Sequence, residues 1–242
     1  MRHGAIVLSI LILLVGLSSV SAQSETKSIQ GLELDWEYDF GNTFISTKPL
    51  IVNETIFVRT STSTSNSDPA GIYAFDLDGE LLWSKLNYNP ISNDMSPITY
   101  VEQGQGDCGA WSNMLIIGWA NGTIEALHPG SGAIFWQQNT EVLTWGITGS
   151  LLVDLDNLLV PTRTGLANYC LSTGSINFEI ETGIGWRNGV SKSGEDYFLG
   201  DETGTLWKVS KHGNTTSKFL DIGKIRHAPL AVGEKLLVHG QG

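Results

Sequence analysis

The stretch GTIEALHPGSGAIFW, residues 122–136, decides the fold expected for this chain. It alternates like a β-strand, turns at a glycine and ends on a large aromatic residue, which is typical of a hairpin. The same form recurs in GIYAFDLDGELLW (71–83), GLANYCLSTGSINF (165–178) and, more loosely, GTLWKVSKHGNTTSKF (204–219). The closing aromatic residues are 53, 42 and 41 residues apart, and a period near forty with strand-like segments indicates β-propeller blades.

Each repeat contains two more strand-like runs before the hairpin. These runs are short, rich in Val, Ile and Leu, and broken by Gly, Asn and Asp, as expected for strands joined by tight turns. We therefore predict an all-β chain of propeller blades, each with four antiparallel strands, in about four and a half repeats. The predicted units are 41–88, 95–140, 145–182, 186–221 and a partial unit at 225–242.

The recurring aromatic residue is interpreted as a wedge that lies against a turn glycine and fills the gap between blades. Glycine suits such a turn because it accepts a positive φ. The alternative is that these aromatic residues are ordinary core. In the opening stretch, Ile124, Ala126 and Phe135 are expected at buried positions. The predicted docking residues are Trp36, Trp83, Trp136, Phe178 and Phe219.

The N-terminal residues 1–22 have the three parts of a signal peptide: a basic start, an apolar run and small residues before Ala22. The apolar run, 5–17, is shorter than the ~20 residues that span a bilayer. We predict cleavage after Ala22 and a secreted or extracytoplasmic protein. The alternative is an uncleaved anchor, which would be the only membrane attachment. Possible glycosylation triplets begin at Asn53, Asn121 and Asn214.

The charge and the cysteines set further limits. A formal net charge of −11 argues against nucleic acid as a partner, because phosphates require a basic surface.

Cys108 and Cys170 are the only two cysteines. Export permits a disulfide between them, and both fall in connections expected on one face of adjacent blades. The alternative is two unpaired thiols.

The segment ALHPGSGAIFW, 126–136, resembles the tryptophan-docking repeat of the pyrroloquinoline-quinone-type β-propellers, in the quinoprotein alcohol dehydrogenase-like superfamily. His128 stands where the repeat has Asp, and Ser131 where it has Thr. The superfamily includes quinone dehydrogenases, outer-membrane assembly scaffolds and surface binding proteins, so the resemblance implies a fold rather than one activity.

The dehydrogenases of that superfamily use two adjacent cysteines, a calcium site and an aspartate base. Because the two cysteines here are far apart in the chain, we expect no catalytic residue, no metal site and no cofactor. We predict a non-enzymatic binding or scaffold module. The alternative is an N-terminal fragment of a quinone-dependent oxidoreductase, which would hold pyrroloquinoline quinone and calcium.

The candidate binding site lies before the first strand of each unit, a strand that lines the central channel in propellers. Guanidinium forks, an amide and indole faces at one mouth of the channel suit a carboxylate, a sugar or a peptide loop. The alternative is that these groups satisfy one another. The partner expected here is a protein or a small polar ligand. The predicted site residues are Trp145, Trp186, Arg187, Asn188, Arg226 and His227.

The two ends of the sequence suggest a larger ring. The segment LELDWEYDF, 32–40, resembles the last strand of a blade, and the sequence stops after the second strand of a fifth unit. We expect the N-terminal part of a propeller with seven or eight blades. A partner chain that completes the ring is the alternative.

Overall fold

The structure, a computed structural model, describes residues 33–62, 68–88, 95–142 and 144–242. The predicted signal peptide, 1–22, lies outside the described residues. The described chain is all-β, which confirms the predicted fold class. In these residues no helix is long and apolar enough to cross a membrane.

Successive strands form antiparallel sheets, which we call blades 1 to 4. Blade 1 contains β1 (Phe44–Ile45), β2 (Leu50–Val52), β3 (Thr55–Ser61), β4 (Ala70–Phe75) and β5 (Leu81–Asn87). Blade 2 contains β6 (Thr99–Val101), β9 (Met114–Gly118), β10 (Thr123–Leu127) and β11 (Ile134–Asn139), and carries the extra hairpin β7 (Gly104–Gly106) and β8 (Gly109–Trp111).

The next two sheets repeat the same strand order. Blade 3 contains β12 (Leu152–Asp154), β13 (Asn157–Pro161), β14 (Gly165–Cys170) and β15 (Ile176–Glu181). Blade 4 contains β16 (Ser191–Ser193), β17 (Asp196–Gly200), β18 (Thr205–Ser210) and β19 (Thr215–Phe219). A two-stranded sheet follows, made of β20 (Leu230–Val232) and β21 (Lys235–Leu237).

The inner strands read as unbroken apolar runs because both of their faces are buried. On β9, Met114 and Ile116 pack toward blade 3, whereas Leu115 and Ile117 pack toward blade 1. The three largest apolar clusters of the described chain therefore lie between two neighbouring sheets rather than inside one. A single blade has no core of its own, so the stacking of blades supplies the hydrophobic stabilisation.

An aromatic residue on the outer strand of one blade lies on the turn glycine of the next blade. A Cβ built on Gly132 would come within 2.7 Å of the Trp83 ring, and one on Gly174 within 2.6 Å of the Trp136 ring. Both indoles also donate a hydrogen bond into the turn that they cover, Trp83 to Pro129 O at 2.8 Å and Trp136 to Leu171 O at 3.0 Å.

Trp36 and Phe178 take equivalent places. Trp36 covers Gly79 and donates to Leu77 O at 3.1 Å, although residues 33–40 form no strand. Phe178 lies against Gly213, with 3.3 Å between its ring and a built Cβ. Phenylalanine has no N–H to donate, so this contact lacks the hydrogen bond of the tryptophan docks.

Phe219 does not share this position. The docking residues of blades 1 to 3 follow their own turn glycine by four residues, and in blade 4 that place belongs to Ser217. Phe219 is two residues further along β19, and 62% of its surface is exposed. The prediction placed Phe219 at the docking position because it aligned the repeats on the nearest aromatic residue rather than on the turn glycine.

The expected burial of Phe135 is wrong, while that of Ile124 and Ala126 is confirmed. Phe135 is 45% exposed, and the adjacent Trp136 is buried. Successive side chains of a strand point to opposite faces, so only one of the two can enter the gap between blades.

The predicted disulfide joins Cys108 to Cys170, with 6.0 Å between their Cα atoms. The stretch around Cys108 is more regular than predicted, because it forms the hairpin β7–β8. The disulfide ties this hairpin of blade 2 to the end of β14 in blade 3. Ser172 reinforces the connection by donating from Oγ to Cys108 O.

Replacing Gly132 with alanine should cost more than the same change at Gly194. Both glycines have a positive φ, +67° and +60°, so the backbone strain is similar, at about 1 kcal/mol. Only Gly132 has a ring against it; a Cβ on Gly194 meets nothing within 4 Å. We expect Gly132→Ala to lower the free energy of unfolding by about 3 kcal/mol and Gly194→Ala by about 1 kcal/mol, measured in urea. Equal losses would contradict the docking of Trp83 on this turn.

Candidate functional site

The structure brings three of the six predicted site residues together around one cavity. Trp145, Trp186 and Arg226 line a cavity of about 210 Å³, which we call the rim cavity. Its remaining walls come from Arg163, Ile184, Gly185 and Glu202. Trp145 lies before β12 and Trp186 before β16, so the connections into blades 3 and 4 build this cavity together.

Two parallel indoles form the centre of the rim cavity. The rings of Trp145 and Trp186 lie 5.3 Å apart, with an angle of 3° between their planes. The guanidinium carbon of Arg163 lies 5.3 Å from the Trp145 ring, and that of Arg226 lies 4.9 Å from the Trp186 ring. An aromatic face attracts a cation, so each arginine is held over an indole.

The backbone before these strands adopts an uncommon conformation. Trp145 has a φ of +53° and Arg187 a φ of +58°, in the left-handed region. Bulky residues rarely adopt this region, and such strained residues cluster at functional sites. The conformation is held by hydrogen bonds across the blades: Gly146 N donates to Ala120 O, and Arg187 N donates to the Thr148 hydroxyl.

The positive charge of Arg226 is paired with a carboxylate of the protein itself. Its Nε and one terminal nitrogen donate to the two carboxylate oxygens of Glu202, at 2.8 and 2.6 Å. These hydrogen bonds raise the pKa of Arg226 above its ordinary value. No such pair forms at Arg163, since no carboxylate in the described part of the chain lies within 4.0 Å of its side-chain nitrogens. The cation that the rim cavity offers to another molecule is therefore Arg163.

The turn between β17 and β18 positions Glu202. Asp201 is buried and accepts hydrogen bonds from the backbone N–H groups of Thr203 and Thr205, the Thr203 hydroxyl and the Trp207 indole. Burial acts to raise the pKa of the Asp201 carboxyl, but the hydrogen bonds outweigh burial and lower this pKa below its ordinary value. The ionised carboxylate thus fixes the turn.

Replacing Asp201 with asparagine should destabilise the protein in a pH-dependent way. The folded pKa is below the unfolded one, so the stabilisation is present above about pH 4 and is lost as the pH falls through the folded value. We expect Asp201→Asn to lower the free energy of unfolding at pH 7 by about 2 kcal/mol. Urea unfolding of both proteins between pH 7 and pH 3 checks this, because the difference should shrink toward the acid end. A constant difference would show that the carboxylate charge plays no part.

The other three predicted residues do not line the rim cavity. The Arg187 side chain extends to Met95, with 2.8 Å between Nε and the sulfur. Asn188 is buried and packs against Gly149 and Gly185. His227 is exposed, and its ring lies 5.9 Å from that of His239.

Sequence reasoning missed Arg163 and Glu202 because it considered only the residues that precede each blade. Both occupy one place in the repeat, two residues before the glycine that opens the third strand, Gly165 or Gly204. Blade 2 has Ala120 at this place. Aligning the repeats on that glycine would have revealed a charged side chain there in blades 3 and 4 only.

The adjacent cysteine pair and the calcium ligands of the resembled dehydrogenases have no counterpart among the described residues. The only two cysteines are bonded to each other between blades 2 and 3 rather than adjacent in the chain. Among the described residues, no group of three or more His, Cys, Asp or Glu side chains could hold a metal ion. No reaction step is derived through these groups.

Comparison with known proteins extends the resemblance that the repeat suggested. No curated protein matches the sequence significantly. Among solved structures, quinohemoprotein alcohol dehydrogenase from Comamonas testosteroni is 12% identical, with a TM-score of 0.60 over 85% of this chain and 41% of that one. BamB from Moraxella catarrhalis is 16% identical, with a TM-score of 0.44 over 79% and 68%. A europium-containing methanol dehydrogenase is 15% identical, with a TM-score of 0.46 over 76% and 42%.

The likeness to the quinohemoprotein alcohol dehydrogenase concerns the fold. The chain spans less than half the length of either dehydrogenase, and low identity transfers no activity. The family model described as outer membrane protein assembly factor BamB matches residues 30–218, which is most of the chain. Together with the four-stranded blades and their docked aromatic residues, this match shows that the chain belongs to the BamB family of β-propellers with pyrroloquinoline-quinone-type repeats.

Proposed function

We propose that this chain is an exported, non-enzymatic scaffold that holds a segment of a partner protein in the rim cavity. The segment would carry a carboxylate next to an apolar side chain. The observation that carries this proposal is the stack of Arg163, Trp145 and Trp186, in which the arginine has no acidic partner in the described chain.

The surface of the cavity favours a peptide over a small ion. Trp145 is 36% exposed, and Ile184, which lines the same cavity, is also exposed. Apolar surface beside one guanidinium suits a segment that buries a side chain and pairs one carboxylate, as at the centre of many protein interfaces. The stacked indole also limits the rotamers of Arg163, which reduces the entropy lost when it binds.

A buried indole donor supports binding at this place. Among the described residues, Trp186 Nε1 is buried and has no hydrogen-bond partner. An unsatisfied buried N–H is costly and uncommon in folded proteins. A carbonyl or carboxylate oxygen from a bound segment would supply the missing acceptor.

The disulfide, the N-terminal sequence pattern and the family support a partner outside the cytoplasm. The disulfide suits an oxidising compartment, and the N-terminal pattern suits export. The family model is described as an assembly factor for outer membrane proteins, a role that concerns other proteins rather than a chemical substrate. No catalytic step is needed for this role.

Titration with a short peptide tests the proposal. The probe is N-acetyl-Phe-Glu-amide, and its matched control is N-acetyl-Phe-Gln-amide. We expect the first to quench tryptophan fluorescence and the second to bind about tenfold more weakly, because a charge-assisted hydrogen bond contributes about 1.5–3 kcal/mol.

Two arginine variants locate the contact. Arg163→Gln should lower the affinity for the Glu peptide to that for the Gln peptide. Arg187→Gln is the matched control, since the Arg187 side chain extends to Met95 instead of the rim cavity. Equal binding of both peptides, or an equal loss in both variants, would contradict the proposal.

A further inference from the structure

A second cavity lies where the β7–β8 hairpin of blade 2 meets blades 3 and 4, beside the disulfide. Its volume is about 490 Å³, within the range of small-ligand sites. Its walls are formed by Asp107, Cys108, Asp156, Asn157, Asn168, Asn177, Phe178, Lys211 and His212. We propose that this cavity, which we call the amide cleft, binds one neutral pyranose sugar.

Three asparagines form a row across the sheet of blade 3. Asn157, Asn168 and Asn177 lie on the adjacent strands β13, β14 and β15. Asn168 Nδ2 donates to Asn157 Oδ1 at 3.0 Å, and Asn177 Nδ2 lies 3.4 Å from the same oxygen. Asn177 Nδ2 also lies 3.4 Å from Asn168 Oδ1, so the three amide heads form one hydrogen-bonded cluster.

This row matches the hydrogen-bonding character of a sugar. Each asparagine carries an acceptor oxygen and two N–H donors, so the row presents both kinds of group side by side. A sugar hydroxyl likewise donates one hydrogen bond and accepts others. The amides bond to one another but keep further capacity, since one N–H each of Asn157 and Asn168 and the oxygen of Asn177 remain for the hydroxyls of a pyranose.

The row is not required for the stacking of blades. Asn168 is paired with Phe178 on the outer strand, in the same way that Ala74 is paired with Trp83 and Ala126 with Trp136. Blades 1 and 2 thus join their neighbours with an alanine and a tryptophan. Blade 3 instead buries an amide, with Asn168 only 3% exposed. This amide is hydrogen-bonded to those of Asn157 and Asn177, and the smaller phenylalanine leaves more room in the cleft.

The remaining walls favour a neutral ligand over an anion. Asp107 and Asp156 both line the cleft and outnumber its one lysine, Lys211, which lies 3.9 Å from a carboxylate oxygen of Glu195 outside the cleft. Carboxylates repel an anionic group. Asp156 is fixed in place, because its two oxygens accept hydrogen bonds from Cys108 N and Asn157 Nδ2. Phe178 supplies an apolar wall that the C–H face of a sugar ring can cover.

Saturation-transfer NMR with methyl glycosides tests the amide cleft. The probes are the methyl α-glycosides of glucose and mannose and the methyl β-glycoside of galactose, each compared with its free monosaccharide. We expect saturation of the ring protons of at least one probe. Transfer to a methyl glycoside but not to the free sugar would identify the ligand as the end of a glycan chain. Transfer to both would identify it as a free sugar.

Two variants give blade 3 the residues found at the same positions of blades 1 and 2, so that a loss of binding can be separated from a loss of folding. Asn168→Ala and Phe178→Trp install the residues of blades 1 and 2, so both should melt as the wild type does and lose the transfer. Asn177→Ala, at an exposed position, gives a third variant if either of these fails to fold. Arg163→Gln in the rim cavity should leave the transfer unchanged. No transfer to any probe, or transfer that persists in all cleft variants, would overturn the proposal.

Discussion

Replacing Trp136 with alanine is expected to lower the free energy of unfolding by about 4 kcal/mol. The indole is buried between blades 2 and 3, covers Gly174 and donates to Leu171 O. Its removal leaves a cavity and an unpaired carbonyl in the largest core cluster. Urea unfolding followed by circular dichroism measures the loss.

Phe135 provides the matched control for this experiment. It precedes Trp136 on the same strand, but it is exposed and points to the other face. Phe135→Ala should change the free energy of unfolding by less than about 1 kcal/mol. A Trp136→Ala variant as stable as the wild type would remove the docking mechanism that the four blades share.

Replacing Arg59 with methionine is expected to lower the free energy of unfolding by about 3 kcal/mol. Arg59 lies on β3 of blade 1 and is 0% exposed. Its guanidinium donates to the carbonyls of Ser96 and Gly118 in blade 2 and lies 4.8 Å from the Trp119 ring. Methionine fills a similar volume but leaves both carbonyls without this donor.

The variant Arg59→Lys separates the effect of the positive charge on stability from that of the planar guanidinium. Lysine keeps the positive charge but lacks the planar fork that reaches two carbonyls at once. We expect an intermediate loss of stability for this variant. If the methionine variant unfolds at the wild-type urea concentration, Arg59 does not join the two blades.

The repeat could be predicted from the sequence because each element of it is local. A turn glycine, a run of alternating residues and an aromatic residue at a fixed distance specify one hairpin, and their recurrence specifies the stacking of blades. Trp83, Trp136 and Phe178 occupy the docking position for this reason. The prediction for Phe219 is wrong because the docking position is determined by a fixed distance from the turn glycine, rather than by the presence of an aromatic residue.

The contacts between blades could not be predicted in the same way. A lone arginine in the apolar run of β3 gives no indication that its partners are carbonyls 37 and 59 residues away. The pairing of Arg226 with Glu202, and the position of Arg163 over Trp145, also depend on the rotation of one blade against the next. That rotation depends on packing over the whole interface between two blades, and it cannot be predicted from any single segment of the sequence.

Trp145 and Trp186 form the proposed binding site, whereas Trp83 and Trp136 hold neighbouring blades together. The chain has eight tryptophans, and each indole N–H gives one signal in a nitrogen-15 correlation spectrum. The most direct measurement is a titration of the tryptophan-labelled protein with N-acetyl-Phe-Glu-amide, with each signal assigned by single substitution. We predict that the signals of Trp145 and Trp186 shift, whereas those of Trp83 and Trp136, which are hydrogen-bonded inside the blade interfaces, stay in place. Unchanged signals for Trp145 and Trp186 at saturating peptide, or equal shifts of all four, would contradict the account.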